Sequence, residues 1–113
     1  MQDLKKRHKK FAIDVASLIQ ALPKSTVNTA YCNQLIRSSS SPGTNYRSAC
    51  RGKSTADFIN KLKIVEEELD ESLYFLELLH HFNPDFRHMI DDLIKEGNEL
   101  LAITIKSIKT TRS

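Results

Sequence analysis

Glu77 and His80 stand three residues apart, as do Asp85 and His88, and carboxylate–imidazole pairs at that spacing share one face of a helix, where they could hold a metal ion. With Glu66, Glu67, Glu68, Asp70 and Glu71 just upstream, the chain carries the residue types of a di-iron bundle. The pattern fails on two counts. Such centres also need a lone inward glutamate from each of the other two helices, and no glutamate precedes Glu66. Both pairs also flank one turn instead of lying mid-helix. A solvated acidic face is the better reading, and no metal or other cofactor is assigned.

Nucleophilic chemistry has less support. Cys32, Cys50 and the four histidines show no spacing that sets a thiol beside a base on one helix, and Ser38 to Ser41 lack the strand-to-helix elbow that exposes a catalytic serine. No residue reads as catalytic, so an enzyme is not expected. The two cysteines are 18 positions apart. On one helix that is roughly 27 Å, too far for a disulfide, and both read as reduced packing residues.

Charge is the stronger signal. Residues 1 to 56 hold ten Lys/Arg against two Asp/Glu, whereas residues 57 to 113 hold seven against twelve. The split admits a basic surface for nucleic acid, or complementary faces within or between copies. Lys5, Lys6, Arg7, Lys9 and Lys10 could contact phosphates, aided by Arg37, Arg47 and Arg51, and such binding would be salt-dependent and blind to sequence. No aromatic interleaving or recognition-helix pattern accompanies them. For Arg47 and Arg51, one turn apart, the plainer role is pairing with Glu67 and Glu71 of the same or a neighbouring subunit.

The elements that must position these residues are helices. One domain is expected of 113 residues, and three glycines and three prolines argue against a turn-rich β fold. Apolar runs fall far short of the roughly 20 residues a bilayer requires, and no charged-then-apolar leader opens the chain, so a cytoplasmic location without membrane contact is expected. Phe11, Val15, Leu18 and Leu22 form a stripe that Pro23 ends, preceded by KKRHKK as a solvated start. A second helix begins near Ser25 or Thr26. Ser38 to Gly43 reads either as a loop or as a helix kinked at Pro42. On the helical reading Cys32, Leu35, Ser39, Gly43, Tyr46 and Cys50 share a face of mostly small side chains. Gly52 terminates it, and Ser54 with Asp57 resembles a capping box. Phe58, Leu62, Val65, Leu69, Leu73 and Leu76 follow at core spacing, and Tyr74, Phe75, Leu78, Leu79 and Phe82 supply more apolar surface than one seam needs. Asn83-Pro84-Asp85 opens a last helix through Ile108, with a loose polar tail from Lys109.

The block QLIRSSSSPGTNYRSACRGKSTADFINKLKIVEEELDESLYFLELL, with weaker support from FAIDVASLIQALP and the last helix, resembles the four helix bundle protein family, whose founding members are encoded by intervening sequences in bacterial large-subunit ribosomal RNA genes. The resemblance covers nearly the whole chain. It implies an antiparallel bundle assembled as a ring-like homopentamer, with the second helix running through the serine-rich segment. The family motif falls on Arg37, Asn45, Tyr46, Arg51, Asp57, Phe58, Lys61, Leu62, Glu67, Glu71 and Leu76, none of them known as catalytic. Pro42 and Ser48 depart from that motif, which usually has an apolar residue at the first position and often a glutamate at the second. A fold-level resemblance extends to the accessory proteins of diversity-generating retroelements, which bind a reverse transcriptase and nucleic acid.

The expected protein is thus an all-α, up-down-up-down four-helix bundle with helices near 3–22, 26–51, 55–82 and 84–109, forming a ring-like homo-oligomer. Its expected role is that of a non-enzymatic scaffold or interaction module whose partner is another copy of itself. The candidate subunit interface is Arg37, Tyr46, Arg47, Arg51, Asp57, Phe58, Lys61, Glu67, Glu71, Tyr74 and Phe75. The alternative is a nucleic-acid-binding accessory protein, associated with ribosomal RNA or a reverse transcriptase, that uses the basic run of the first helix.

Overall fold

The structure, a computed structural model, describes residues 3–113. Among them are α1 (Leu4–Ala21), α2 (Thr26–Cys50), α3 (Thr55–Phe82) and α4 (Arg87–Arg112), with a single 3-10 turn, Pro84–Phe86, before α4 and no strand. Each helix packs on the next and α4 closes on α1, while the backbones of the diagonal pairs α1/α3 and α2/α4 stay apart. This is a bundle around one core. Twenty-eight residues of α3 at about 1.5 Å each match the 44 Å long axis, so α3 spans the molecule.

Side-chain caps start three helices. Asp3 accepts from the Lys6 amide, Ser25 from Asn28 and Ser54 from Asp57, each filling one of the orphan donors at a helix start. Of the Ser54–Asp57 capping box the serine half is made, and Asp57 Oδ2 accepts from the Lys53 amide at 3.4 Å, one residue before the cap. Gly52 ends α2 without a positive φ. Its value is close approach, because a Cβ there would lie 3.0 Å from the Ala49 carbonyl oxygen and 3.1 Å from Asp57 Oδ2.

The serine-rich segment is helical throughout, so the loop reading is overturned. Pro42 lies in the core, while Ser38 and Ser39 are also buried. Their hydroxyls bond backward to Leu35 and Ile36 carbonyls, which satisfies them inside the helix. The buried face of α2 is therefore Cys32, Leu35, Ser38, Ser39, Pro42 and Ala49. Cys50, expected to pack, is exposed.

The main core joins Phe11, Val15, Leu18 and Leu22 with Leu35, Val65, Leu69, Leu76, Leu79, Ile90, Leu93 and Leu100. A smaller cluster of Ala49, Leu62 and Ile108, flanked by Tyr46, Phe58 and Ile59, fills one end. Gly97 lets α4 come close to its neighbours, since a Cβ there would be 2.9 Å from Leu73 Cδ2 and 3.4 Å from Phe11 Cζ. The expected loose tail is instead helix through Arg112.

Polar contacts cross the α2–α3 seam at three levels. Asn45 Nδ2 donates to Glu68 Oε1 at 3.0 Å, Ser72 Oγ lies 3.0 Å from Ser38 Oγ, and Asn28 and Asn83 exchange amide bonds of 2.8 and 2.9 Å. Higher positions in α2 thus meet lower positions in α3. Asn28 also donates to the Pro23 carbonyl and Asn83 to that of Leu79. This buried pair links the α1–α2 loop to the turn before α4.

Candidate functional site

The surface carries two grooves of opposite charge, and both are built partly on α3. The first lies where α2 turns into α3. Thr44, Arg47, Ser48 and Arg51 from α2 and its cap line one side, and Lys53, Ser54, Asp57 and Lys61 the other. Four cations face one carboxylate. The short Gly52 turn sets these rows side by side, because the Asp57 carboxylate is drawn back onto the Lys53 amide.

The second groove runs between α3 and α4, lined by Glu67, Asp70, Glu71 and Glu77 with Leu73, Tyr74, Ile94, Asn98 and Leu101. Four carboxylates rim an apolar floor and no cation lines it. Tyr74 is 57% exposed. Its ring meets Phe75 edge-on at 5.5 Å, Phe75 meets Tyr31 at 6.1 Å, and Tyr31 meets Phe82 at 6.1 Å, so an aromatic strip leads from this groove across α2 and α3. Phe82 is itself half exposed, at 50%.

Arg47 and Arg51 make no ion pair with Glu67 or Glu71 within the described residues of this chain; the ion pairs there are Arg7 with Glu96 and Glu99, Lys10 with Asp14, and His80 with Asp91. The two arginines line the groove at the α2–α3 turn, whereas both glutamates line the groove between α3 and α4.

The remaining interface candidates scatter. Arg37 is exposed and lines neither groove. Phe58 is half-buried on the end cluster, and Phe75 on the main core. Tyr46 packs inward, its ring centroid 5.2 Å from that of His8. Burial, then the neighbouring Cys50 thiol, pushes its phenol up to about 12.

The basic run of α1 divides by helix face. Lys5, Lys6, Lys9 and Lys10 are exposed, but Lys10 is paired with Asp14 at 2.5 Å. Arg7 turns to α4, where its Nε donates to Glu96 Oε2 at 3.0 Å and Glu99 lies 3.5 Å away. These carboxylates raise its pKa, chiefly through the Glu96 hydrogen bond. His8 contradicts a solvated helix start: it is 2% exposed, and desolvation, then Arg7, lowers its pKa to about 4. The sequence held a signal for it, since His8 precedes Phe11 by three and extends the stripe of Phe11, Val15 and Leu18.

Other titrations follow burial. Glu68 is raised by desolvation against the opposing hydrogen bonds of Asn45 and Ser41, and Cys32 is raised by burial. No three His, Cys, Asp or Glu side chains converge on a metal-sized point among the described residues. His80 Nε2 instead lies 3.0 Å from Asp91 Oδ1. No described helix is long and apolar enough to cross a membrane.

Comparison with known proteins agrees with this architecture. The family model described as 23S rRNA-intervening sequence protein matches residues 2–106. The chain is also similar to a crystal structure from Bacteroides thetaiotaomicron, a protein with unknown function from the S23 ribosomal protein family. The two share 31% identity with a TM-score of 0.83, covering 95% of this chain and 99% of the other. No curated protein matches the sequence. A family match over nearly the full length, joined to a superimposable four-helix relative, means that this chain belongs to the 23S rRNA-intervening sequence protein family.

Proposed function

We propose that the protein is a non-enzymatic, cytoplasmic scaffold that assembles head to tail from antiparallel up-down-up-down protomers, the basic groove of one copy docking in the acidic groove of the next. The observation that carries this reading is the pair of grooves: four cations against one carboxylate at the α2–α3 turn, and four carboxylates over an apolar floor between α3 and α4. Neither set is neutralised by the other within the chain. A surface patch meeting a different, complementary patch is a heterologous contact, which closes into a ring when the rotation per copy allows it. The resemblance in sequence puts that ring at five copies.

Charge supplies register and orientation here; affinity needs apolar anchors. Exposed ion pairs contribute roughly 0–1 kcal/mol each. Tyr74, Leu73, Ile94 and Leu101 on the floor, continued by Phe75 and Phe82, supply the apolar contact, and Tyr is one of the residue types enriched among those that dominate such interfaces.

Light scattering after size exclusion tests the assembly. Wild type should elute as a discrete multiple of the 12.9 kDa chain, five by this reading. The Arg51→Glu/Lys61→Glu double variant should shift toward monomer, and adding Glu71→Lys should restore part of the mass. A wild-type monomer at micromolar concentration sinks the proposal.

A further inference from the structure

The seam between α1 and α2 is held differently from its neighbours. Polar contacts tie α2 to α3 at three levels, and Arg7 of α1 reaches Glu96 and Glu99 of α4. Lys10 pairs with Asp14, and Ser17 donates to the Ile13 carbonyl, inside α1 itself. Among the described residues no side-chain hydrogen bond or ion pair joins α1 to α2, so this seam rests on packing. Of the described residues before Phe11, His8 alone is buried; Leu4 is partly buried, and Lys5, Lys6, Lys9 and Lys10 are exposed. The first two turns of α1, residues 4–10, are therefore anchored by His8, Leu4 and the Arg7 ion pairs.

The His8 anchor depends on a neutral ring. A Cβ on Gly43 would lie 3.4 Å from His8 Cβ and 3.8 Å from its carbonyl carbon, so the α2 backbone closes over this position. The Tyr46 ring stands 5.2 Å from the imidazole, and Nδ1 is buried without a hydrogen-bond partner. Once protonated, both ring nitrogens are donors, and a buried charge needs a partner or water. Neither is at hand. From α1, Lys5, Arg7 and Lys9 are cations; from α2, Arg47 is a cation and Tyr46 a neutral phenol beside the Cys50 thiol; from α4, Glu96 is the carboxylate that favours the proton, and it already accepts from Arg7. Turning the ring into the adjoining α1–α2 groove sets it against Lys5, Lys9 and Arg47, with no carboxylate in the lining. The way left to water is for the backbone of residues 4–10 to lift.

We propose that protonation of His8 releases residues 4–10 from α2 while α1 from Phe11 onward and the rest of the bundle stay packed, which makes these two turns an acid-opened flap. The hinge falls at Phe11 because Phe11, Val15 and Leu18 are buried in the main core and carry no titratable group. Release uncovers Gly43 and the Tyr46 ring. The freed turns fray, since so short a helix has little stability without tertiary contact. In the released flap the histidine titrates near its ordinary 6.5, against about 4 when packed, so the released form gains as pH falls, by about 30-fold between about pH 7.5 and 5. Residues 4–10 line neither docking groove, so the flap works with or without assembly.

Native-state hydrogen exchange at about pH 7.5 and 5, corrected for intrinsic rates and repeated in low urea, tests this. In wild type the amides of residues 9–11 should lose about 30-fold protection on acidification with little dependence on urea, because only a few residues open. Amides of residues 65–76 in α3 should stay at least about tenfold better protected and exchange with the full urea dependence of global unfolding. In His8→Gln, and in His8→Phe should the first variant fold poorly, protection of residues 9–11 should change less than about threefold. The proposal is overturned if residues 9–11 and 65–76 exchange in step with one urea dependence, since the proton then reaches His8 only in the unfolded chain, or if the variants keep the wild-type response to pH.

Discussion

Acidification should destabilise this protein through one buried imidazole, and the size of the effect follows from His8. In the unfolded chain a histidine titrates near 6.5, whereas in the fold desolvation and the adjacent Arg7 lower His8 to about 4, with Glu96 opposing from α4. Below about pH 6.5 the unfolded chain therefore binds a proton that the folded chain refuses, so stability falls as pH falls and levels off once the folded site is protonated too. At 1.36 kcal/mol per pKa unit, the full loss is about 3 kcal/mol, of which about 2 kcal/mol should be gone at pH 5. That is a large share of a domain stability of about 5–15 kcal/mol. Urea denaturation of wild type and His8→Gln at one protein concentration, at about pH 7.5 and 5, isolates the contribution. The carboxylates titrate in both proteins and cancel in the difference. Wild type should lose about 2 kcal/mol more than His8→Gln over this interval. Parallel losses, differing by less than about 0.5 kcal/mol, would refute the reasoning.

Other perturbations have equally definite outcomes. Asn83→Ala removes three bonds around a buried amide pair and leaves Asn28 short of a partner, and should cost about 2–3 kcal/mol, read as a lower urea midpoint. Gly97→Val forces a side chain into space held by Leu73 and Phe11, and overpacking should lower stability by about 1–3 kcal/mol, seen as a fall in Tm. With a thiol-specific chromogenic reagent at neutral pH, the exposed Cys50 should react at once, and the buried Cys32, whose pKa burial raises, only as fast as the chain opens.

Apolar spacing made much of this fold legible. The stripe from Leu62 to Leu76 is buried as its four- and three-residue spacing requires, and Ser25 and Ser54 cap as their residue type predicts. Local propensity misread the serine-rich segment because a tertiary contact overrides it: the small side chain of Ser38 meets Ser72 of α3, and the hydroxyls of Ser38 and Ser39 find partners inside the helix. Lysine neighbours hid His8, since a run of five cations reads as solvent-facing even when one position between them completes the core stripe. The grooves were half visible. Their charges follow from the uneven distribution along the chain, but which cations remain unpaired depends on contacts between residues some ninety positions apart, such as Arg7 with Glu96, and no periodicity encodes those.

The polar pairs at Asn28–Asn83, Ser38–Ser72 and Asn45–Glu68 have a consequence for uniqueness. Leucine packs almost as well after a neighbour slides by one helical turn, so an all-leucine seam would tolerate several alignments of nearly equal energy. Matched rungs at three heights do not: a single-turn slip breaks all three at once and leaves the buried Asn28 and Asn83 amides without each other. The hairpin of α2 and α3 is therefore keyed like a lock with three pins, and only one alignment of its two helices turns it.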